Sequence, residues 1–531
     1  MTNERNRKLG MLTHISSLPG KYGVGDMGDS ANEFIDFLSD AGCLVWQFLP
    51  TGPTSSVMGH SPYSSPSAFA GNISLISPDL LVDWGLLSKS ETKSMEEPPS
   101  KQVDFDKIYR KKLKMLYGAY VTFRRDDAYK TRFKELSDEF WNFCVREAYW
   151  LEDYSLYCVL RDLSGDLPWY KWQIEYRTRD WSVLDSLKSE PDVAHKLDFC
   201  RFSQFIFFRQ FEIMSQLCHD KGITLVSDMP LYVAHDSAEV WGRQDLFKLD
   251  EDGMPACVAG VPPDYFSETG QRWGNPIYKW DKMRDNGYYW WLGRFRHALL
   301  NVDMMRIDHF RGLVGYWEIP ADEDTAVNGK WERGPGRDLF HAIKFCFADD
   351  NGKMPFIAED LGVITEDVTN VMKEFGLPGM KVLHFAFSEG MPSNPYIPHH
   401  HIENCVVYAG THDNNTTAGW WKDSAASEEK ENFLRYTGSK KTDANKVREQ
   451  MLNMVISSVA DLAVITPQDV LGLGSEARVN TPSTTEGNWA WRLESLDGLK
   501  AQAESIREMA IVYDRLNEPE EEKEGGVCDA V

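Results

Sequence analysis

The sequence predicts an α/β protein, a (β/α)₈ TIM barrel with a large, mainly helical insertion between early barrel strands. The first observation is a series of eight short apolar runs, which are typical of parallel strands buried on both faces. The second is that helical patterns lie between most of these runs, as a barrel requires. The predicted strands are 9–16, 43–49, 224–229, 302–307, 356–359, 380–387, 406–409 and 462–466. A doubly wound open sheet is the alternative, but no Gly-x-Gly-x-x-Gly motif follows the first strand.

The helices and the insertion follow from periodicity between the strands. The clearest predicted helices are 30–40, 288–300, 339–347 and 447–460. The gap between the second and third strands is very long, and residues 105–162 within it are amphipathic, charged and aromatic. We therefore expect an inserted, mainly helical subdomain over residues 51–222. Residues 1–50 and 223–515 then form the barrel.

Two further segments differ from the rest of the chain in composition. Residues 250–276 are rich in Gly and Pro, which predicts a long loop, and loops of this length are usually functional or disordered. Residues 516–531 are acidic and contain Gly, which predicts a solvated tail.

The overall composition excludes several classes of function. A net charge of −24 disfavours nucleic acid and acidic membrane surfaces as partners. There is no long uncharged apolar stretch and no apolar signal core at the N-terminus. The nine cysteines form no Cys-x-x-Cys pair, so we expect free thiols in a reducing compartment and no metal site. The consecutive histidines 399–401 cannot all face one ion from a regular element, so a solvated loop is favoured.

Three acidic residues are the strongest functional candidates. Asp308, Glu359 and Asp413 each follow an apolar run, and they are separated by 51 and 54 residues. This spacing fits strand-plus-helix units with insertions, so all three acids are expected at one end of the barrel. Converging carboxylates catalyse glycosidic-bond chemistry.

Each of these acids also has an ordinary structural explanation. Arg306 lies two residues before Asp308 on the same strand face, and we expect it to lower the pKa of Asp308 and keep it ionised; the alternative is a structural ion pair. Burial of Glu359 would raise its pKa and suit a general acid, but the residue would also serve at a helix N-terminus. His412 and Asp413 could bind sugar hydroxyls or form an Asx turn.

One more acid belongs with this group. Asp228 ends the third predicted strand and is a candidate ligand for a sugar hydroxyl. The alternative is a cap before the loop that begins at Pro230.

Taken together, these residues and several longer motifs resemble the 4-α-glucanotransferases (amylomaltase or disproportionating enzyme, glycoside hydrolase family 77). The likeness extends over nearly the whole chain. The motifs are His-Ser-Pro-Tyr at 60–63, Asp-Met-Pro-Leu-Tyr-Val-Ala-His-Asp-Ser at 228–237, Gly-Val-Pro-Pro-Asp-Tyr-Phe-Ser at 260–267, Trp-Gly-Asn-Pro at 273–276, Arg-Val-Asn-Thr-Pro at 478–482 and Asn-Trp-Ala-Trp-Arg at 488–492.

The resemblance implies a role for each matching residue. Asp308 matches the nucleophile, Glu359 the acid/base and Asp413 the transition-state stabiliser. The 250–276 segment matches a lid loop over the cleft. The implied substrate-binding residues are Tyr63 beside the donor site, Asp228, Trp273, Arg306, His412, and Asn480 and Pro482 on the acceptor rim.

Two positions depart from the family pattern. Arg272 stands where an apolar residue is usual, and Ser483 stands where glycine is usual. They bear on lid packing and acceptor preference, and leave the reaction class unchanged.

The implied activity is transfer of α-1,4-glucan segments to glucose or another glucan by a retaining double displacement, without cofactor. The expected partners are maltodextrin, starch or glycogen fragments and glucose, with the protein a monomer or homodimer. The expected location is the cytoplasm, or the plastid stroma if a transit peptide was removed. The competing hypotheses are an α-amylase-type hydrolase, a catalytically inactive glucan-binding protein, and a metal-dependent barrel hydrolase.

Overall fold

A parallel β-barrel forms the centre of the molecule. The structure, a computed structural model, describes residues 7–125, 131–263 and 267–516. Eight parallel strands lie in the order β10-β11-β12-β1-β2-β3-β6-β9, a nearly closed barrel. These strands are β1 (Lys8–Leu12), β2 (Val45–Phe48), β3 (Thr224–Met229), β6 (Met304–Ile307), β9 (Phe356–Ala358), β10 (Gly379–Val382), β11 (Cys405–Tyr408) and β12 (Leu462–Ile465). The predicted barrel fold and all eight predicted strands are confirmed.

The gap in the barrel lies between β9 and β10, the two ends of the strand order. The backbone N–H of Ala358 donates to the carbonyl oxygen of Pro378 at 2.9 Å. The side chain of Asp360 accepts from the N–H of Met380 at 2.6 Å. A Cβ at Gly379 would lie 2.4 Å from Asp360 Oδ2, so the absence of a side chain there allows this link between the two strands.

Buried side chains pack together in the barrel interior. This inner cluster is separate from the larger core between barrel and helices. Its buried members are Leu12, Val45, Leu49, Val226, Ile357, Met380, Val382, Val406, Tyr408, Leu462 and Val464. Most are β-branched or otherwise apolar, as expected of barrel layers.

Helices surround the barrel and make up the structured part of residues 51–222. The helices are α1 (Asp29–Asp40), α2 (Pro78–Asp83), α3 (Lys89–Lys93), α4 (Phe105–Phe123), α5 (Lys134–Arg146), α6 (Ala148–Leu163), α7 (Ile174–Arg177), α8 (Trp181–Lys188), α9 (Pro191–Asp220), α10 (Ala238–Gly242), α11 (Trp280–Asp285), α12 (Tyr289–Ala298), α13 (Arg337–Phe347), α14 (Glu366–Phe375), α15 (Thr417–Gly419), α16 (Ser427–Thr437), α17 (Ala444–Ser457), α18 (Pro467–Leu471), α19 (Asp497–Lys500) and α20 (Ala503–Val512). The four predicted helices correspond to α1, α12, α13 and α17. In the described parts of the chain, no helix has the length and apolarity needed to cross a membrane.

The sequence predicts a long loop over residues 250–276, but the structure forms two β-strands within this segment. It contains β4 (Cys257–Val261) and β5 (Gln271–Pro276), which join β7 (Gly315–Pro320) and β8 (Lys330–Arg333) in an antiparallel sheet ordered β5-β4-β7-β8. A Cβ at Gly260 would lie 2.1 Å from the carbonyl oxygen of Gln271. The glycine thus permits close approach of two strands. A glycine can therefore occur where two backbones lie close together, and not only in a loop. Residues 264–266 lie outside the described residues, as do 517–531 of the predicted acidic tail.

Candidate active site

The three acids lie just beyond the carboxyl ends of barrel strands. Asp308 follows β6 and Glu359 follows β9, whereas Asp413 lies five residues beyond β11. The N–H of Asp308 donates to the Met229 carbonyl oxygen at 3.0 Å, and the N–H of Glu359 donates to the Ile307 carbonyl oxygen at 3.1 Å. Because the strands are parallel, these bonds hold both acids at the same end of the barrel.

A buried arginine joins Asp228 to Asp308. Arg306 Nη1 donates to Asp228 Oδ2 at 2.5 Å, and its Nη2 lies 3.1 Å from Asp308 Oδ1. Arg306 lies opposite Asp228 in the β3–β6 register, so the two strands present the pair side by side. Both side chains are almost fully buried. A buried ion pair of this kind holds its members in one geometry, because breaking it would leave an uncompensated charge.

The pKa of Asp308 is raised, whereas the sequence predicts that Arg306 lowers it. Burial raises the pKa of Asp308 above its ordinary value, and the nearby Asp228 and Asp413 carboxylates add to the shift, although Arg306 opposes it. The prediction that Arg306 would set this pKa below the usual range is therefore wrong. Desolvation of the carboxylate outweighs one neighbouring positive charge when other carboxylates are also close.

Glu359 is held by two backbone donors. Its Oε2 accepts from the N–H of His309 at 2.8 Å, and its Oε1 accepts from the N–H of Leu361 at 2.8 Å. Burial, reinforced by the charge of Asp308, raises the pKa of Glu359 to about 7. A carboxyl with this pKa gives and takes protons readily near neutral pH, as a general acid/base must.

Asp413 lies in the opposite electrostatic environment. Asn480 Nδ2 donates to its Oδ1 at 2.6 Å, and His412 Nε2 lies 3.3 Å from its Oδ2. Although burial works against it, the neighbouring His412 holds the pKa of Asp413 well below its usual range, and the Asn480 bond contributes. The same contact raises the pKa of His412 despite burial of the ring. Asp413 therefore carries a stable negative charge.

Tyr63 connects Asp228 to the Asp413 side of the site. Its hydroxyl donates to Asp228 Oδ2 at 2.7 Å and lies 2.9 Å from His412 Nε2. Because a hydroxyl has a single proton, the His412 N–H must donate to the Tyr63 oxygen. The Tyr63 ring lies nearly parallel to His412, with centroids 5.2 Å apart, and Trp489 lies 5.7 Å from it. These rings form an aromatic wall beside the acids.

The remaining predicted binding residues lie at the rim. The Trp273 ring meets the His309 ring edge-on, with centroids 4.7 Å apart, and it is 37% exposed. Pro482 is exposed two residues beyond Asn480. Within the described residues, no recorded hydrogen bond or ring contact ties Pro482 to the acids. These contacts connect the other predicted site residues to one another, and the place of Pro482 on the acceptor rim stays a prediction.

Similar known proteins identify the family to which this chain belongs. Residues 13–497 match glycoside hydrolase family 77, described as 4-alpha-glucanotransferase. The chain belongs to this family. The 4-alpha-glucanotransferase of Thermus thermophilus is 44% identical over 520 residues, which cover 97% of this chain and 100% of the relative. The chloroplastic/amyloplastic enzyme of Solanum tuberosum is 41% identical and covers 97% and 87%, respectively.

A solved structure agrees with the sequence relatives. Amylomaltase from Streptococcus agalactiae in complex with acarbose superposes with a TM-score of 0.87 and 34% identity, covering 96% of this chain and 100% of that one. The predicted family resemblance and enzyme class, a 4-α-glucanotransferase, are thereby confirmed.

Sequence reasoning missed several residues of this family 77 site. His309 has a left-handed backbone, with φ 51°, which costs a non-glycine residue about 1–2 kcal/mol, and its N–H contacts Glu359. Gln47 Nε2 donates to Asp228 Oδ1 at 3.3 Å, and Tyr408 O–H donates to Gln47 Oε1 at 2.9 Å. A glutamine inside an otherwise apolar strand was the available signal for Gln47, because a buried amide needs partners.

The histidine run at 399–401 does not converge on one point. His399 Nε2 and His400 Nε2 both contact the Pro392 carbonyl oxygen, whereas His401 Nδ1 contacts Ser458 Oγ at 2.8 Å. Among the residues that the structure describes, no group of three or more His, Cys, Asp or Glu side chains could hold a metal ion.

Proposed function

We propose that this enzyme transfers α-1,4-glucan segments from a donor maltodextrin to the 4-hydroxyl of glucose or of another α-1,4-glucan, by a retaining double displacement. The observation that carries the proposal is the meeting of Asp308, Glu359 and Asp413 at one barrel end with three different charge environments. One acid lies beside an arginine, one has a pKa of about 7, and one is strongly acidic.

In the first step, Asp308 Oδ attacks the anomeric carbon of the donor. The bond from that carbon to the 4-oxygen of the leaving sugar breaks, and Glu359 transfers its proton to the departing oxygen. A covalent glycosyl-Asp308 ester remains, and Glu359 is left ionised. Arg306 stabilises the charged form of Asp308 before attack.

In the second step, the roles reverse. Glu359 removes the proton from the 4-hydroxyl of the acceptor sugar, whose oxygen attacks the anomeric carbon. The ester bond breaks, Asp308 leaves as a carboxylate, and Glu359 is protonated again. Two inversions retain the configuration at the anomeric carbon.

Asp413 supports both steps electrostatically. The transition state resembles an oxocarbenium ion, so a fixed negative charge beside the ring stabilises it. Asp413 is suited to this because His412 and Asn480 keep it ionised and oriented. Preorganised charges of this kind supply a large part of catalysis.

Transfer in preference to hydrolysis requires that a sugar acceptor displace water. The β4–β5 hairpin supports this proposal, since it carries Trp273 against His309, next to the nucleophile. An aromatic surface at that position orients an acceptor sugar and covers the ester from water.

The partners and location that we propose follow the same reasoning. The substrates are maltodextrin, starch or glycogen fragments and glucose, and no cofactor takes part. The protein acts as a monomer or homodimer. The proposed location is the cytoplasm or the plastid stroma, and free thiols at eight cysteines of the described chain suit such reducing surroundings.

Incubation with pure maltotriose tests the function. Transfer produces a ladder of shorter and longer oligosaccharides, whereas an α-amylase-type hydrolase produces only shorter ones. Asp308→Asn should abolish the ladder while maltodextrin binding persists, because only the nucleophile is lost. Shortening without any longer product, or full activity of Asp308→Asn, would refute the proposal.

A further inference from the structure

A second cavity lies away from the three acids, between the helical insertion and the outside of the barrel. It encloses about 200 Å³. Tyr149 and Asp153 on α6 form one side, Glu239 and Gly242 on α10 a second, and Tyr289 and Gly293 with their neighbours on α12 the third. None of these residues belongs to the active site.

The glycine on α12 indicates that the space is kept open. A helix-interior glycine costs about 1 kcal/mol relative to alanine, and such a residue usually has a packing reason. At Gly293 no packing reason is found, because an added Cβ would meet no atom within 4 Å. The space that a side chain would occupy is that of the cavity, which Gly293 lines.

Two exposed tyrosines form walls suited to a sugar ring. Tyr149 is 52% exposed and Tyr289 is 69% exposed. The Tyr149 hydroxyl bonds to His297 Nδ1 at 3.1 Å, and its ring meets Phe69 edge-on at 5.9 Å. The Tyr149 ring is therefore held in place before any ligand arrives, which lowers the entropy lost on binding. Flat aromatic faces pack well against the apolar C–H faces of pyranoses.

Carboxyl groups supply the polar contacts. The buried Glu239 side chain lines the cavity, and its Oε1 accepts from Ser67 Oγ at 2.7 Å. Burial also raises the pKa of Glu239, which favours a neutral group that both donates and accepts. Asp153 Oδ1 accepts from Arg179 at 2.6 Å, while its Oδ2 is directed towards Gly242.

The cavity is small. At about 200 Å³ it lies below the usual range for pockets that bury drug-sized ligands, which favours one sugar ring over an extended chain. Aromatic walls with a few polar groups are typical of small-ligand sites, and hydroxyl-binding carboxyls specify a polyol.

We propose that this cavity binds a terminal glucosyl unit of an α-1,4-glucan outside the catalytic cleft. The ligand class rests on the proposed function, and the site goes beyond it. A chain end held there raises the effective concentration of the same polymer at the active site, so apparent affinity for long glucans exceeds that of the cleft alone.

Filling the cavity tests the proposal. Gly293→Phe places a ring in the open space, and Tyr289→Ala removes a wall. Gly118→Phe is the matched control, since Gly118 is also inside a helix and an added Cβ there meets only Leu87 at 3.9 Å. Tyr117→Ala, at a tyrosine that is 47% exposed on α4, is the control for Tyr289→Ala. Affinity electrophoresis in amylopectin gels measures binding of the long glucan. The kinetics of maltotriose transfer measure the activity of the catalytic cleft.

We expect Gly293→Phe and Tyr289→Ala to weaken amylopectin binding by about tenfold while kcat/KM for maltotriose stays as in the wild type. Both control variants should bind amylopectin normally. Circular dichroism checks that each variant folds. If Gly293→Phe does not fold, the amylopectin binding of Tyr289→Ala alone tests the proposal. Wild-type amylopectin binding by both cavity variants would overturn the proposal. Absence of a maltotriose ladder in the wild type would instead refute the proposed function.

Discussion

At the scale of single residues, three chemically similar acids receive three different charge environments from their neighbours. Asp308 has Arg306 at 3.1 Å, Glu359 has two backbone N–H donors, and Asp413 has His412 and Asn480. Such separation of pKa values is how paired carboxyls acquire distinct catalytic roles. Protonation, more than position alone, distinguishes a nucleophile from an acid.

The pH dependence of kcat/KM should follow this separation. Glu359 must be protonated for the first step, and its pKa is about 7, so kcat/KM should fall tenfold per pH unit well above pH 7. Asp308 must be ionised, and its raised pKa moves the acidic limb above that of an ordinary aspartate. The measurement is maltotriose transfer between pH 4 and about pH 10.

Glu359→Gln provides the control for that profile. With a glycosyl fluoride donor, whose leaving group needs no proton, this variant should form the ester at a rate that no longer falls above pH 7. A wild-type kcat/KM that stays constant to about pH 9 would contradict the assignment of Glu359 as the acid.

The residues that could be predicted from the sequence are those marked by strand ends. Asp308 and Glu359 each follow a β-branched or apolar run, so parallel strands alone place them together. The pKa direction of Asp308 could not be predicted, because it depends first on how deeply the carboxyl is buried and then on Asp228 and Asp413 from distant parts of the chain. The left-handed backbone of His309 likewise could not be predicted, because only a few per cent of non-glycine residues adopt it, even though histidine does so more often than most.

At the scale of elements, the antiparallel sheet β5-β4-β7-β8 carries an aromatic group to the site. Trp273→Ala removes the ring that contacts His309 at 4.7 Å. We expect the ratio of hydrolysis to transfer to rise by about tenfold, because acceptor orientation is lost while water is unaffected. Glucose release and oligosaccharide products from maltotriose measure the ratio.

Trp331→Ala is the matched control in the same sheet. Trp331 is 44% exposed, comparable with Trp273, but its ring lies against the Arg311 guanidinium at 4.0 Å and meets the Trp317 ring edge-on at 5.3 Å. The variant should keep the wild-type ratio. If Trp273→Ala keeps the wild-type ratio of hydrolysis to transfer, the antiparallel sheet does not favour transfer over hydrolysis.

Among the strands, those that are buried could be predicted from the sequence, and the more exposed strand β5 could not. The eight barrel strands are buried on both faces and appear in the sequence as continuous apolar runs, so their existence could be predicted, although the predictions 9–16 and 380–387 extend beyond β1 (Lys8–Leu12) and β10 (Gly379–Val382) at their C-terminal ends. Strand β5, by contrast, is largely exposed and begins with Gln271 and Arg272. A strand without an apolar face or alternation gives no periodic signal, and its Gly and Pro residues indicated a loop.

At the scale of the whole molecule, one buried ion pair joins the helical insertion to the N-terminal part of the barrel. Lys112 Nζ on α4 lies 3.2 Å from Asp26 Oδ2 and also donates to the Ile76 carbonyl oxygen. The Lys112 side chain is fully buried and that of Asp26 is 7% exposed. Removing one partner of such a pair leaves an unpaired buried charge.

Asp26→Ala should lower the free energy of unfolding by about 3–5 kcal/mol. Asp162→Ala is the control, because Asp162 forms an exposed pair with Lys196, and exposed pairs contribute little. Denaturant titration of both variants measures the difference. Equal stability of Asp26→Ala and the wild type would show that the pair does not hold insertion and barrel together.

The most direct test of the whole account is to trap the glycosyl ester. Glu359→Gln mixed with α-maltotriosyl fluoride should accumulate protein carrying one maltotriosyl group, because fluoride leaves without an acid and no base activates the acceptor. Peptide mass spectrometry should locate that group on Asp308, and the Asp308→Asn, Glu359→Gln double variant should carry none. A maltotriosyl group on another residue, or free β-maltotriose produced without any ester, would contradict the mechanism.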